Sequence, residues 1–195
     1  MKHALISKTI VGLIESAVRS VADRLFILTT GRSGSSKYKP TISTIYETGL
    51  VTAIYEFLLM SPDLAHLEIR HEMPYGKKTR PQQVDLWIRP PKGGYANLIE
   101  CGDFSPTKLK NDASKMRKLN RYGVNWFLAF FRHEPDSKAV WDKLQQSRRR
   151  KNGLKGLHIG LDKRLTKQFE IKLPNEVISF GFALIRIEKG SRAIV

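Results

Sequence analysis

Cysteine occurs once, at Cys101, in a chain of 195 residues. That scarcity excludes an internal disulfide and any cysteine-rich zinc site. The five histidines, His3, His66, His71, His133 and His158, nowhere take the i, i+4 spacing that sets two imidazoles on one helix face. No stretch approaches the roughly 18 consecutive apolar residues of a membrane-spanning helix. Nor are the first residues expected to be a secretory leader, because Lys8, Glu15 and Arg19 interrupt their apolar run. The Gly/Ser-rich GRSGSSKYKP, Gly31 to Pro40, lacks the Gly-Lys-Ser/Thr that would close a nucleotide phosphate loop, and reads as a connector. Internal repeats and low-complexity tracts are also absent. Acids are few: 18 Asp and Glu stand against 34 Lys and Arg, a formal charge of +16. A surplus of that size calls for a polyanion, either nucleic acid or an anionic membrane surface. The expectation is a soluble, cytoplasmic protein that binds nucleic acid and has no membrane partner.

What is present is an ordinary apolar fraction, 41%, enough for one folded domain with a real core. Ile10, Leu13, Ala17, Val21 and Leu25 recur at helical spacing and predict a helix over about Ile6 to Leu28. Its apolar stripe fits either packing on the core or a homodimer seam. A second helix is predicted from about Ser43 to Met60, striped by Leu50, Val51, Ile54 and Leu58, with Glu47 pointing along that stripe. Strands are predicted over about Leu67 to Met73, Val84 to Arg89 and Ala96 to Phe104. Ser105 and Pro106 then suit the N-cap and first position of a helix. A strand from about Val124 to Phe131, a helix from Asp136 to Arg149 and a last strand in VISFGFALIRIE complete the chain. This order describes an α/β fold, a mixed central sheet flanked by helices.

The informative stretch is QVDLWIRPPKGGYANLIECGDF, which sets Asp85 and Glu100 inside two apolar runs joined by a Pro/Gly turn. If Pro91 to Gly94 form a four-residue loop, Asp85 falls directly opposite Glu100 on one face. Like charges so placed repel unless something positive lies between them. Their oxygens suit Mg²⁺, with Mn²⁺ the substitute, since such an ion takes few protein ligands and keeps several waters. The plainer reading pairs each acid with its own Arg or Lys. Trp87, Trp126 and Trp141 fall in apolar segments and fit core packing better than base stacking.

An inward Glu on a helix, an Asp on one hairpin strand and a Glu on the next strand before a helix resemble the PD-(D/E)XK nuclease superfamily. The resemblance spans roughly Thr41 to Phe131, and its motif is short. It implies a restriction-endonuclease-like αβββαβ core and one nuclease-like domain. Residues 1–40 would add a helix and basic loop, residues 41–134 the catalytic core, and residues 135–195 a helix, basic loop and strands. It further implies a metal-dependent endonuclease that hydrolyses phosphodiester bonds, of DNA more often than RNA. Glu47, Asp85 and Glu100 match the motif acids, with Asp85, Glu100 and the Cys101 backbone carbonyl as metal ligands. Asp103 would join them only if a bulge at Gly102 turned it inward. The motif lysine would fall at Gly102, so this chain departs from the pattern there. Lys115 and, after it, Lys108 on the following helix are the substitutes; a protein that binds nucleic acid on this fold without cutting it is the alternative. His71 with Glu72 stands near enough to assist proton transfer. Lys77, Lys78 and Arg80, with Arg148, Arg149, Arg150 and Lys151, are the expected contacts to double-stranded DNA.

Overall fold

The computed structural model describes residues 8–21, 42–75, 82–92, 95–120, 123–131, 137–149, 158–172 and 177–188. Residues 8–21 form helix α1, whose Ile10, Val11, Ile14, Ala17, Val18 and Val21 are buried on one side. Helix α2, Ile42–Met60, buries Leu50, Val51, Ala53, Ile54 and Leu58. It ends just before Pro62, which opens a short 3-10 turn, Pro62–Leu64. The strands are β1 Glu68–Tyr75, β2 Gln82–Arg89, β3 Asn97–Asp103, β4 Val124–Phe131, β5 His158–Lys172 and β6 Val177–Glu188. Helix α3, Pro106–Leu119, links β3 to β4, and helix α4, Ser137–Arg149, follows β4.

These strands make one six-stranded mixed sheet in the order β1-β2-β3-β4-β6-β5. All neighbours are antiparallel except β3 and β4, which are parallel. That is what a helical crossover requires: α3 carries the chain from the end of one strand to the start of the next. β3 and β4 are covered on both faces and are correspondingly near-continuous apolar runs.

Two cores lie on the two faces of the sheet. Leu86, Ile88, Ile99, Cys101, Trp126, Leu128 and Leu184 pack with α1 and α2. Leu98, Phe127, Ala129, Ala183 and Ile185 pack with Leu109, Ala113 and Met116 of α3 and Val140 and Leu144 of α4. The protein is thus an α/β molecule with a mixed sheet between helical layers, as its sequence predicts. β5 is the element to which the sequence gives no bounds, though strands are expected in residues 135–195. It is an edge strand rich in Lys, Arg, Asp and Glu, the composition that keeps an edge from pairing with another chain and that hides its alternation. A register shift between Asp162 and Lys167 interrupts its pairing with β6.

No helix among the described residues is long and apolar enough to cross a membrane.

Candidate functional site

The hairpin has the register that places the acids together. Leu86 pairs with Ile99, Trp87 with Leu98 and Ile88 with Asn97, so Asp85 comes next opposite Glu100. The backbone ladder stops there. Asp85 Oδ2 instead accepts the Cys101 N–H at 2.7 Å. A side-chain carboxylate therefore bridges the strands beyond their last backbone pairs.

Regularity also breaks around Asp85. Leu86 and Ile88 face α1 and α2, whereas Val84, which simple alternation would put beside them, belongs to the α3–α4 core. On the other flank, β1 pairs His71 with Leu86 and Met73 with Val84, and the position between them, Glu72 opposite Asp85, is missing from the ladder. Glu72 has φ of 50°, a left-handed conformation uncommon for a residue with a side chain. His71 stacks on Tyr55 at 5.5 Å between centroids, and is thereby engaged with α2.

Glu100 points to the α3 side of the sheet. Its neighbours Ile99 and Cys101 point to the other, where the Cys101 thiol is fully buried, as the strand alternation predicts. The Glu100 side chain is 4% exposed and forms an ion pair with Lys115 of α3, itself 19% exposed. Burial, then the negative charge of Asp85, push the Glu100 carboxyl up to about 8; Lys115 pulls it down, and Asp112 adds a smaller push upward. Asp112 lies one turn before Lys115 on α3, its Oδ2 4.0 Å from Lys108 Nζ.

α3 begins where the sequence places it. Ser105 is extended, its side chain accepts the Lys108 N–H at 3.0 Å, and Pro106 fills the first turn. This start sets the helix phase: Leu109, Ala113 and Met116 face the core while Lys108, Asp112 and Lys115 share the flank nearer Glu100.

Gly102 has φ of 153°, where a side chain is strained. A Cβ there would collide with Lys108 Cε and stand 2.6 Å from its Nζ. The missing side chain is thus the space that Lys108 occupies. The register of β3 with β4 runs unbroken through Gly102 and Asp103, so no bulge turns Asp103 inward; it is exposed at the strand end.

The expected residues divide as follows. Asp85, Glu100 and Lys115 come together, with Lys108 beside Gly102. Glu47 lies on α2, which packs on the opposite face of the sheet, and its side chain falls outside the described residues. Arg148 and Arg149 close α4, with their side chains likewise outside that set. Lys77, Lys78, Arg80, Arg150 and Lys151 lie wholly outside it. Sequence reasoning gave Asp112 no role in the charge balance and missed the backbone of Glu72. Asp112 had a signal, its position midway between Lys108 and Lys115.

No group of three or more His, Cys, Asp and Glu side chains converges as a metal cage among the described residues. The arrangement offers two carboxylates, and this donor set suits a hard cation that keeps most of its waters. Comparison with protein-family models, curated proteins and solved structures returns no match.

Proposed function

We propose that the protein is a Mg²⁺-dependent endonuclease hydrolysing phosphodiester bonds of DNA, on a restriction-endonuclease-like core. The observation that carries this reading is the juxtaposition of Asp85 and Glu100 at the open end of a strand pair, with the Lys115 ammonium against Glu100. Two acids held that close are costly for a fold, and a cation between them removes the cost. Asp85 and Glu100 would hold the ion by their carboxylate oxygens, with the Cys101 carbonyl beside them. When bound, Mg²⁺ supplies a polarised phosphate and a water of lowered pKa.

The chain's own residues have separate tasks. Asp85 is oriented by the Cys101 amide, which fixes one of its carboxylate oxygens, Oδ2. Lys115 offsets the charge of Glu100 and sets a positive group where negative charge gathers on a phosphate under attack. Lys108, lodged over Gly102, is a second ammonium on the same flank of the helix. Together they take the part that the resemblance gives to a lysine two residues after the glutamate.

A second reading has its own observation. Glu100 is buried against the Lys115 ammonium, and its raised carboxyl keeps a proton to about 8, so ammonium and proton relieve its charge in a fold without any metal. On that reading the protein binds nucleic acid and does not cut it.

Plasmid cleavage in Mg²⁺ or Mn²⁺ separates the two. The nuclease reading expects nicking or linearisation that EDTA stops. It expects Asp85→Asn, which keeps an acceptor for the Cys101 amide, and Glu100→Gln to lower the rate by at least about a hundredfold, the scale of losing an electrostatic group from an active site. DNA binding should survive both substitutions. Failure of the wild type to cut any DNA or RNA with either ion leaves the binding protein as the function.

A further inference from the structure

The two helical layers are not charged alike. α3 carries five basic residues and one acid, and α4 four and one. α1 and α2, on the opposite face, together carry two basic residues and three acids. The exposed positions of α3 are Thr107, Lys110, Asn111, Ser114 and Lys118, with no acid among them. Its single acid, Asp112, is half-buried on the Glu100 flank. α4 adds exposed Lys138 and Lys143, the latter with its Nζ 5.8 Å from the centre of the Phe131 ring, and one exposed acid, Asp142, between them.

We infer that the outward surface of α3 and α4 is a docking face for the phosphate backbone of duplex nucleic acid, contacted by Lys110, Lys118, Lys138 and Lys143. The inference rests on the nucleic-acid part of the function proposed above and is independent of the cleavage chemistry. Asp142 stands beside Lys143, yet the ion pairs among the described residues engage none of these four ammonium groups, so their charge is available to a ligand. Each helix is about 20 Å long at 1.5 Å per residue, a length over which a duplex presents several phosphates.

Two other polyanions fit the surface less well. A helix that lies on a membrane needs apolar side chains to insert, and the exposed large hydrophobic residues of the described chain, Leu59, Met60 and Tyr95, are all outside α3 and α4. A single strand is gripped by stacking its bases on exposed aromatic rings; Phe104 and Trp141 pack against the α3–α4 core instead. What remains is contact with phosphates alone, which is sequence-independent and strongly salt-dependent.

The test measures binding in EDTA, so that cleavage plays no part. Fluorescence anisotropy with a labelled duplex of mixed sequence would compare wild type with K110E/K118E and K138E/K143E. K8E/R19E on α1 makes the same change in net charge on the other face. Each of the first two variants should weaken binding by about tenfold or more at moderate salt and lower the slope of log K against log salt by about two. K8E/R19E should cost less than about threefold, as expected for charge far from the contact. The neutralising variant K110Q/K118Q should fall between wild type and K110E/K118E, and thermal melts confirm that each protein is folded.

Equal weakening by all three reversals overturns the inference, because net charge alone would then account for it. So does wild-type protein that ignores the duplex and takes up single strands or phosphatidylserine vesicles. Loss of binding in the α3 and α4 variants, beside a wild type that cuts nothing in Mg²⁺, removes the nuclease reading and keeps this one. Cleavage by a wild type whose α3 and α4 variants bind normally does the reverse.

Discussion

At Glu100, burial and the charge of Asp85 act in the same direction and hold the carboxyl near 8 against an ordinary 4.5. The unfolded chain releases that proton at the ordinary value, while the folded chain keeps it to the raised one. Between those two values the native state binds more protons, so stability falls with rising pH across about 4.5 to 8 and levels off above. Glu100→Gln cannot ionise and removes this slope. Melting temperatures measured from about pH 5 to about pH 8.5 should therefore decline more steeply for wild type than for the variant, by an amount equivalent to a few kcal/mol in stability. Parallel curves would mean that the folded protein does not hold this proton. The residue pair itself was legible in the sequence, because the register supposed there is the one the strands take, although their pairing ends at Ile88 and Asn97 and does not continue to the turn. The bond from the Cys101 amide to Asp85 was not, since it depends on where the backbone ladder ends. Nor was the placing of Lys108 above Gly102, which depends on a backbone angle and on a helix that starts four residues away.

α3 is the element on which the site depends, and its start is a matter of local chemistry. The Ser105 side chain satisfies one of the four amide groups that a helix leaves unpaired at its beginning. Ser105→Ala should cost about 1 kcal/mol of stability, readable as a lower denaturant midpoint with an unchanged slope. Ser105→Asp, another good cap, should recover most of it. A midpoint unmoved by Ser105→Ala would show that packing of Leu109, Ala113 and Met116 sets this helix without its cap. The same local signals made α2, α3, α4 and β4 readable from sequence, each with apolar spacing and a capping or breaking residue at one end. β5 escaped because Asp162, Lys163, Arg164, Lys167 and Glu170 interrupt its apolar alternation. Its strand identity comes from β6, which supplies the partner.

On the scale of the molecule, one sheet is shared by two cores. Phe127 and Leu128 are adjacent in β4, both fully buried, and point to opposite layers. If the sheet couples the layers, Phe127→Ala and Leu128→Ala should each lower a single unfolding transition. The loss should be about 3–5 kcal/mol for the first and 2–5 kcal/mol for the second. Two separate calorimetric transitions, each moved by only one substitution, would show that the helical layers unfold independently. The sharing also bears on function. Glu100 and the acid-free outer surface of α3 belong to the same layer, while the acids of α1 and α2 lie across the sheet. The total charge of +16 indicated a polyanion; which face would meet it required the positions of the helices.

By itself the sequence determined what depends on neighbours along the chain: the α/β class, the helix start at Ser105, and a hairpin in which Asp85 can fall opposite Glu100. These follow from spacing, capping and turn chemistry, which act over a few residues. Tertiary structure alone decided the neighbours of each acid, the side of the sheet taken by each helix, and the insertion of β6 between β4 and β5. Those outcomes depend on burial between segments far apart in the chain, where many pairings satisfy the local rules and only packing of the whole selects one.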